Sequence, residues 1–256
     1  MKRPDFSVLI GLIIGSAAIT GCAVLEGIRL KFLWQPTAAL VVLGGTLGAV
    51  VVRRGWRGLR EAARAGWGLF FREGEDEVPA AQARLAWLAR AAKKDGAQVL
   101  EAHAANSTDP LVVQALTLTA QYAAPGLVQA RLARILEYED ERVLREISTL
   151  DAAGGFAPTF GILGAVLGLI QVLRSVADPN VLGAGIATAF VATIYGVGLA
   201  NLVLFPLAAR LRERHETRMR RREWLADALV ALAAHETPHA ITQRLVAESN
   251  LASKSA

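Results

Sequence analysis

The run Gly154-Gly-Phe-Ala-Pro158-Thr159-Phe-Gly161-Ile-Leu-Gly164-Ala-Val-Leu-Gly168-Leu-Ile-Gln171 decides how this chain folds. It lies inside 22 uncharged residues, Ala152 to Leu173. That is long enough to cross a bilayer as a helix. A wholly lipid-facing span would carry large apolar residues all round. Here Gly154, Ala157, Gly161, Gly164 and Gly168 recur at spacings of three and four. Such a stripe lets another helix come close, backbone to backbone. Pro158 and Thr159 lie at one edge of it. The expectation is a helix that packs against other membrane helices around something polar.

Working outward, three more uncharged runs fit the same class. Phe6 to Leu25 follows Lys2 and Arg3. It resembles a secretory signal, but no small-x-small cleavage site leads into a polar segment. Ile19-Thr20-Gly21-Cys22 is a loose lipoprotein box, and a cysteine inside a continuing span is the favoured reading. Phe32 to Val52 begins with Trp34 as an interfacial anchor and Gln35-Pro36-Thr37 as a helix start, where proline costs little. Leu182 to Leu207 carries Thr188, Thr193, Tyr195 and Asn201, with Pro206 at its end. The turn before it is Asp178-Pro179-Asn180. With 53% hydrophobic residues and a mean hydropathy of +0.35, the chain reads as a polytopic membrane protein with a sizeable soluble part.

Charge sets the topology. Arg53, Arg54, Arg57, Arg60, Arg64 and Arg72 follow the second span, and seven arginines from Arg210 to Arg222 follow the fourth. Both runs mark the cytoplasmic side. The net charge of +5 therefore belongs to membrane orientation rather than to nucleic acid. Trp56, Leu59, Ala63, Trp67 and Phe70 share a face of an amphipathic helix lying under the membrane. An acidic loop, Arg72 to Glu77, follows. Residues 80–151 read as helical, with breaks at Asp95-Gly96, at Asn106 to Pro110 (a turn and a capped helix start) and at Ala124-Pro125-Gly126. The helix after Leu127, with Leu132, Leu136, Val143, Ile147 and Leu150 on its apolar face, runs on into the third span. The fold class is thus an all-α integral membrane protein with four transmembrane helices, a helical cytoplasmic domain between spans two and three, and a helical cytoplasmic tail. The segments are 1–52 (spans one and two), 53–151 (cytoplasmic), 152–207 (spans three and four) and 208–256 (an amphipathic tail interrupted at Thr237-Pro238, its last residues small and disordered). Both termini are cytoplasmic.

Chemistry is sparse. One cysteine excludes an internal disulfide. His235 and His239 have i, i+4 spacing, but no carboxylate–histidine motif accompanies them and no metal is expected. No phosphate loop or nucleophile elbow occurs, so neither a cofactor nor an enzyme is indicated. No Asp, Glu, Lys, Arg or His interrupts the four spans. An ion path normally contains such a group. Two readings stay open: a structural membrane protein, or half a channel whose carboxylate sits on a partner helix. In the second, Thr159 and Thr193 are the candidate hydroxyls, although a threonine in a span often bonds its own helix instead.

The first run, the run Leu182 to Asn201 and the stretch Gln35 to Ala49 together resemble the MotA family of bacterial flagellar motor stators, which is related to the TolQ and ExbB proteins. The order of spans separates MotA from those two, which have three spans and a large loop after the first. The resemblance implies a stator subunit in the bacterial inner membrane, five copies surrounding two of a single-span MotB-type partner, with the glycine stripe turned toward a partner helix or neighbouring subunits. That partner's aspartate takes up the ion near Thr159 and Thr193. It also implies that Pro158 and Pro206 couple conformational change to ion flow. Ala192 stands where sodium-driven relatives carry a further hydroxyl, which favours protons. Ala92-Lys93-Lys94-Asp95-Gly96-Ala-Gln-Val-Leu-Glu101 is similar to the segment that meets the rotor protein FliG, mapping Lys93 and Glu101 onto the torque charges, with lysine in place of the usual arginine. A TolQ- or ExbB-like energiser and a passive scaffold are the alternatives.

Overall fold

The computed structural model describes residues 3–4, 6–27, 30–72, 77–174 and 179–237. Lys2, residues 73–76, Asp178 and the tail from Pro238, His239 included, lie outside the described residues. Apart from a two-residue antiparallel pairing of Arg3–Pro4 with Phe71–Arg72, the regular elements among the described residues are helices. The helices are α1 (Phe6–Leu25), α2 (Pro36–Ala39), α3 (Gly45–Gly68), α4 (Glu77–Asp95), α5 (Ala97–Asn106), α6 (Pro110–Ala120), α7 (Pro125–Arg174), α8 (Pro179–Gly198) and α9 (Phe205–Ala233). Two π-helical turns, Leu40–Gly44 and Leu199–Leu204, join α2 to α3 and α8 to α9. Among the described residues four helical stretches are long and apolar enough to cross a membrane.

Packing divides the chain into two compact units, 1–73 with 144–213, and 74–143 with 214–256. The boundaries follow contact, not hydropathy. Residues 53–73, 144–151 and 208–213 therefore go with the unit that holds the apolar helices.

In that first unit the buried residues are mostly small: Ala38, Ala157, Ala189, Ala192, Ala200 and Ala208. Small contact residues are what membrane helices need, because lipid offers no hydrophobic gain for burying large ones. The large apolar side chains, such as Ile13, Leu163, Ile170 and Phe190, are exposed and face outward. Gly55 takes φ 67 and breaks α3 just after Arg53 and Arg54. A left-handed residue there suits glycine alone. It separates the apolar part of the helix from the amphipathic part. The amphipathic part buries Ala62, Gly66 and the following Leu69, leaving Trp56 and Trp67 exposed. Arg53 and Arg54 both donate to the Ser148 hydroxyl at 3.4 Å, and Arg212 pairs with Asp151 at 2.9 Å.

The second unit has an ordinary aliphatic core. Leu88, Leu111, Leu116, Val128, Leu132 and Leu229 are almost fully buried. Each such side chain contributes about 1.5–3 kcal/mol relative to exposure. Asp109 caps α6, its Oδ1 accepting from the Leu111 N–H at 3.0 Å, with Pro110 in the first turn. Gly96, at φ 78, separates α4 from α5.

Candidate functional site

The site begins where α7 meets α8. A Cβ added to Gly161 would lie 2.9 Å from the Ala192 carbonyl oxygen and 3.3 Å from the Gly196 Cα. One on Gly168 would lie 2.8 Å from the Gly185 carbonyl oxygen. One on Gly164 would meet the Ala192 methyl at 2.8 Å and Val41 at 3.5 Å. At Gly161 and Gly168 backbone meets backbone, which only glycine allows, and at Gly164 the backbone meets side chains. The expectation that the stripe faces a partner or a neighbouring subunit is corrected here. Gly161, Gly164 and Gly168 are buried against this chain's own α8, and Gly154 against Phe205. The physical reason is mutual fit: α8 carries its own small residues, Gly185, Ala189, Ala192 and Gly196, at the same three-to-four spacing.

The two threonines lie differently against this seam. Thr193 follows Ala192, and its Cα is 3.4 Å from the Cβ position of Gly161. Thr159 stands two residues from Gly161, about 200° round the helix. It is exposed, as are Gly155, Ile162, Leu163 and Val166. Thr159 Oγ1 donates to the Phe156 carbonyl at 2.6 Å, and Thr193 Oγ1 donates to the Ala189 carbonyl at 3.4 Å. A hydroxyl has one donor and two acceptor lone pairs. With its proton turned back into the helix, each threonine oxygen presents lone pairs outward. Such an oxygen receives a donor, for example a protonated carboxyl or a hydrated proton.

Pro158 and Pro206 are brought together through their neighbours. Pro158 lies within α7 and supplies no N–H to the Gly154 carbonyl, four residues back. A Cβ on Gly154 would meet the ring of Phe205, beside Pro206, at 2.6 Å. The turn before Pro206 is π-helical, and the Phe205 N–H bonds Ala200, five residues back. Asn201 Nδ2, in the same wide turn, donates to the Val197 carbonyl of α8 at 3.0 Å.

Tyr195 was legible only as a polar residue in a span. Its hydroxyl donates to the Leu33 carbonyl and accepts from the Gln35 N–H at 3.4 Å. Thr188 donates to Gln35 Oε1, also at 3.4 Å. Thr46 is buried, with no hydrogen-bond partner for its hydroxyl.

In the second unit, Lys93 and Glu101 are exposed on either side of Gly96. Lys93 borders a cavity of ≈ 100 Å³ with Gly96, Tyr122, His235 and Glu236. Sequence reasoning missed the charged centre of this unit. Arg222 donates to both Asp109 oxygens at 3.0 Å and to Glu139 at 2.8 Å. Burial pushes the Asp109 carboxyl up. Arg222, the Leu111 N–H and the charge of Arg218 outweigh it and hold the group below its ordinary range. Burial pulls the Arg222 guanidinium down, but Asp109 and Glu139 raise it. Nearby, buried His215 meets Asp140 at 2.7 Å.

These features can be compared with known proteins. A family model described as the MotA/TolQ/ExbB proton channel family matches residues 103–224. Chemotaxis protein PomA of Vibrio alginolyticus is 29% identical over 242 residues, 94% of each protein. Motility protein A of Bacillus subtilis is 26% identical over 242 residues, 94% of this chain and 90% of that one. The solved flagellar MotAB stator complex from Bacillus subtilis superposes with a TM-score of 0.80 at 26% identity, covering 94% of this chain and 95% of that one. A seam of glycines between apolar spans without Asp, Glu, Lys, Arg or His, and likeness over nearly the whole length, lead to one comparison: the chain is similar to the MotA/TolQ/ExbB proton channel family.

Proposed function

We propose that this chain is the stator subunit of a bacterial flagellar motor, forming with a MotB-type partner a proton channel that converts ion flow into torque on the rotor. One observation carries the reading. The four apolar spans contain no Asp, Glu, Lys, Arg or His, while the chain is alike over nearly its whole length to a chain of a solved flagellar MotAB stator complex. A proton path at membrane depth needs a titrating group. The partner's aspartate supplies it, and Thr159 and Thr193 offer it acceptor oxygens. Each proton moving down the membrane potential releases about 2.3 kcal/mol per 100 mV. Pro158 and Pro206 transmit the step. The chain lies in the inner membrane with both termini in the cytoplasm, since the arginine runs Arg53–Arg72 and Arg210–Arg222 flank its spans on that side. Five copies surround two partner helices. The exposed Lys93 and Glu101 meet the rotor protein FliG.

The test is proton flux into vesicles holding this chain and its partner, beside swimming speed in cells. Thr193→Val should lower flux at least about fivefold, the factor that one neutral hydrogen bond represents, with insertion unchanged. Flux equal to the parent removes Thr193 from the path, and absence of flux in the parent complex overturns the channel reading. Glu101→Lys should leave flux intact and reduce swimming, and normal swimming removes it from the rotor contact.

A further inference from the structure

The start of the second apolar stretch is irregular. Leu30–Leu33 is a 3₁₀ turn, Gln35 is extended (φ −125, ψ 95) without a side-chain cap bond, and α2 opens on Pro36, which has no N–H. The Leu33 carbonyl and the Gln35 N–H therefore stand outside any helix ladder. Beside lipid, each such group left unpaired costs several kcal/mol. A single side chain from α8 answers both: the Tyr195 hydroxyl donates to Leu33 and accepts from Gln35. Thr188, two turns earlier on the same face of α8, donates to the Gln35 side chain. Between these two anchors, Val191 and Ala192 pack on buried Ala38. Ala192 is also the residue that seats Gly161 and Gly164 of α7, and Thr193 is next in the chain.

From this we infer that Tyr195 and Thr188 form a clasp on Gln35 that sets the position of Thr193 against α7, making them positioning residues for ion transfer. The clasp acts through the backbone of α8: its two bonds bracket residues 191–193, so the height and rotation of Thr193 follow from where the Leu33–Pro36 break lies. Tyrosine is required for chemistry, not bulk. Phenylalanine would keep the ring beside Ala38 and leave two backbone groups unanswered. The inference rests on the stator reading, since it concerns the ion path that reading assigns to Thr193.

The experiment compares parent, Tyr195→Phe, Thr188→Val and Thr188→Ser in vesicles with the MotB-type partner, measuring membrane content, proton flux and the pH midpoint of flux. A displaced Thr193 changes the surroundings of the titrating carboxyl, so the midpoint moves. A merely less stable protein lowers amplitude at a constant midpoint. Expected for Tyr195→Phe is flux per unit of membrane content down about fivefold and a shifted midpoint. Thr188→Val should shift in the same direction, and Thr188→Ser should restore parent behaviour. Parent flux and midpoint in Tyr195→Phe overturn the clasp, as does flux that falls only in proportion to content. If Tyr195→Phe fails to accumulate, the Thr188 pair decides: a midpoint shift with Val that Ser reverses supports the clasp, and no difference overturns it. A parent complex without flux overturns the stator reading and takes this inference with it, whereas parent flux with unshifted variants overturns this inference alone.

Discussion

The α7–α8 seam and the Arg222 cluster hold their units together by opposite means. The seam has no charge and almost no side chain. Its specificity is the absence of Cβ atoms at Gly161, Gly168, Gly185 and Gly196, where two backbones touch. The Arg222 cluster is a largely buried cation between two carboxylates, in a unit whose core is aliphatic. A contact of shape is insensitive to proton concentration and intolerant of added volume. A contact of charge tolerates changes of size and depends on protonation. Each unit uses the means its surroundings allow: charges beside lipid are costly, while in the second unit a guanidinium can be paired on both sides.

The sharpest break in this comparison comes from volume. Gly161→Leu should destabilise the first unit by about 3 kcal/mol, the upper end of overpacking penalties, because the new Cβ meets a carbonyl oxygen that belongs to backbone. Gly155→Ala is the control, since nothing lies within 4 Å of its Cβ position. Thermal melting in detergent and membrane content read both. A stable Gly161→Leu would mean that the two helices part easily.

Next in size is the removal of the cation. Arg222→Met should cost about 2 kcal/mol, below the 3–5 of a fully buried pair, because Asp109 and Glu139 keep side-chain exposures of 31% and 29%. The pH dependence follows from the lowered Asp109 pKa. A carboxyl depressed in the folded state contributes stability that is present above its unfolded pKa, about 3.9, and is lost as pH falls through the folded value. Melting temperature should therefore fall in strong acid, and Asp109→Asn should flatten that limb while lowering stability at neutral pH. Gly161→Leu should leave the acid limb unchanged. Equal acid profiles for the parent and Asp109→Asn would remove the cluster from the account.

The smallest effect is a gain. Tyr122 and His235 hold φ 56 and 57 just after α6 and α9. At both ends the following N–H reaches five residues back, Ala123 to Leu118 and Glu236 to Ala231. This is the capping geometry in which glycine is usual. Tyr122→Gly should raise stability by about 1 kcal/mol by relieving the left-handed strain, read as a higher melting temperature. A fall would show that the ring, 77% exposed, packs more strongly than the strain costs.

Much of this was legible in the sequence. The spans followed from uncharged length, the breaks at Gly96 and Asp109-Pro110 from turn chemistry, and close helix approach from glycine spacing. The glycine pattern does not say whose helix approaches. That became clear only when α8 was seen to carry the complementary set. Residue arithmetic does place Thr159 away from Gly161, since two residues turn a helix by about 200°. Arg222 was hidden because it is chemically identical to six other arginines in its run, and its partner Asp109 is 113 residues away. The hydroxyl of Tyr195 reaches Leu33 across 162 residues, and no local rule joins them.

The meeting of Gly154 with Phe205 has a mechanical consequence. A helix resists bending through its ladder of hydrogen bonds, and a proline or a widened turn removes rungs. In α7 the missing rung is at the Gly154 carbonyl, and in the neighbouring helix the altered rungs lie just before Pro206, beside Phe205. The two soft spots are side by side because Gly154 and Phe205 touch. Bending compliance in the pair is concentrated at one level, below a stiff stretch riveted at Gly161–Gly196 and Gly168–Gly185. The pair behaves as a beam with a single flexure, and load applied at either end bends both helices at the same place.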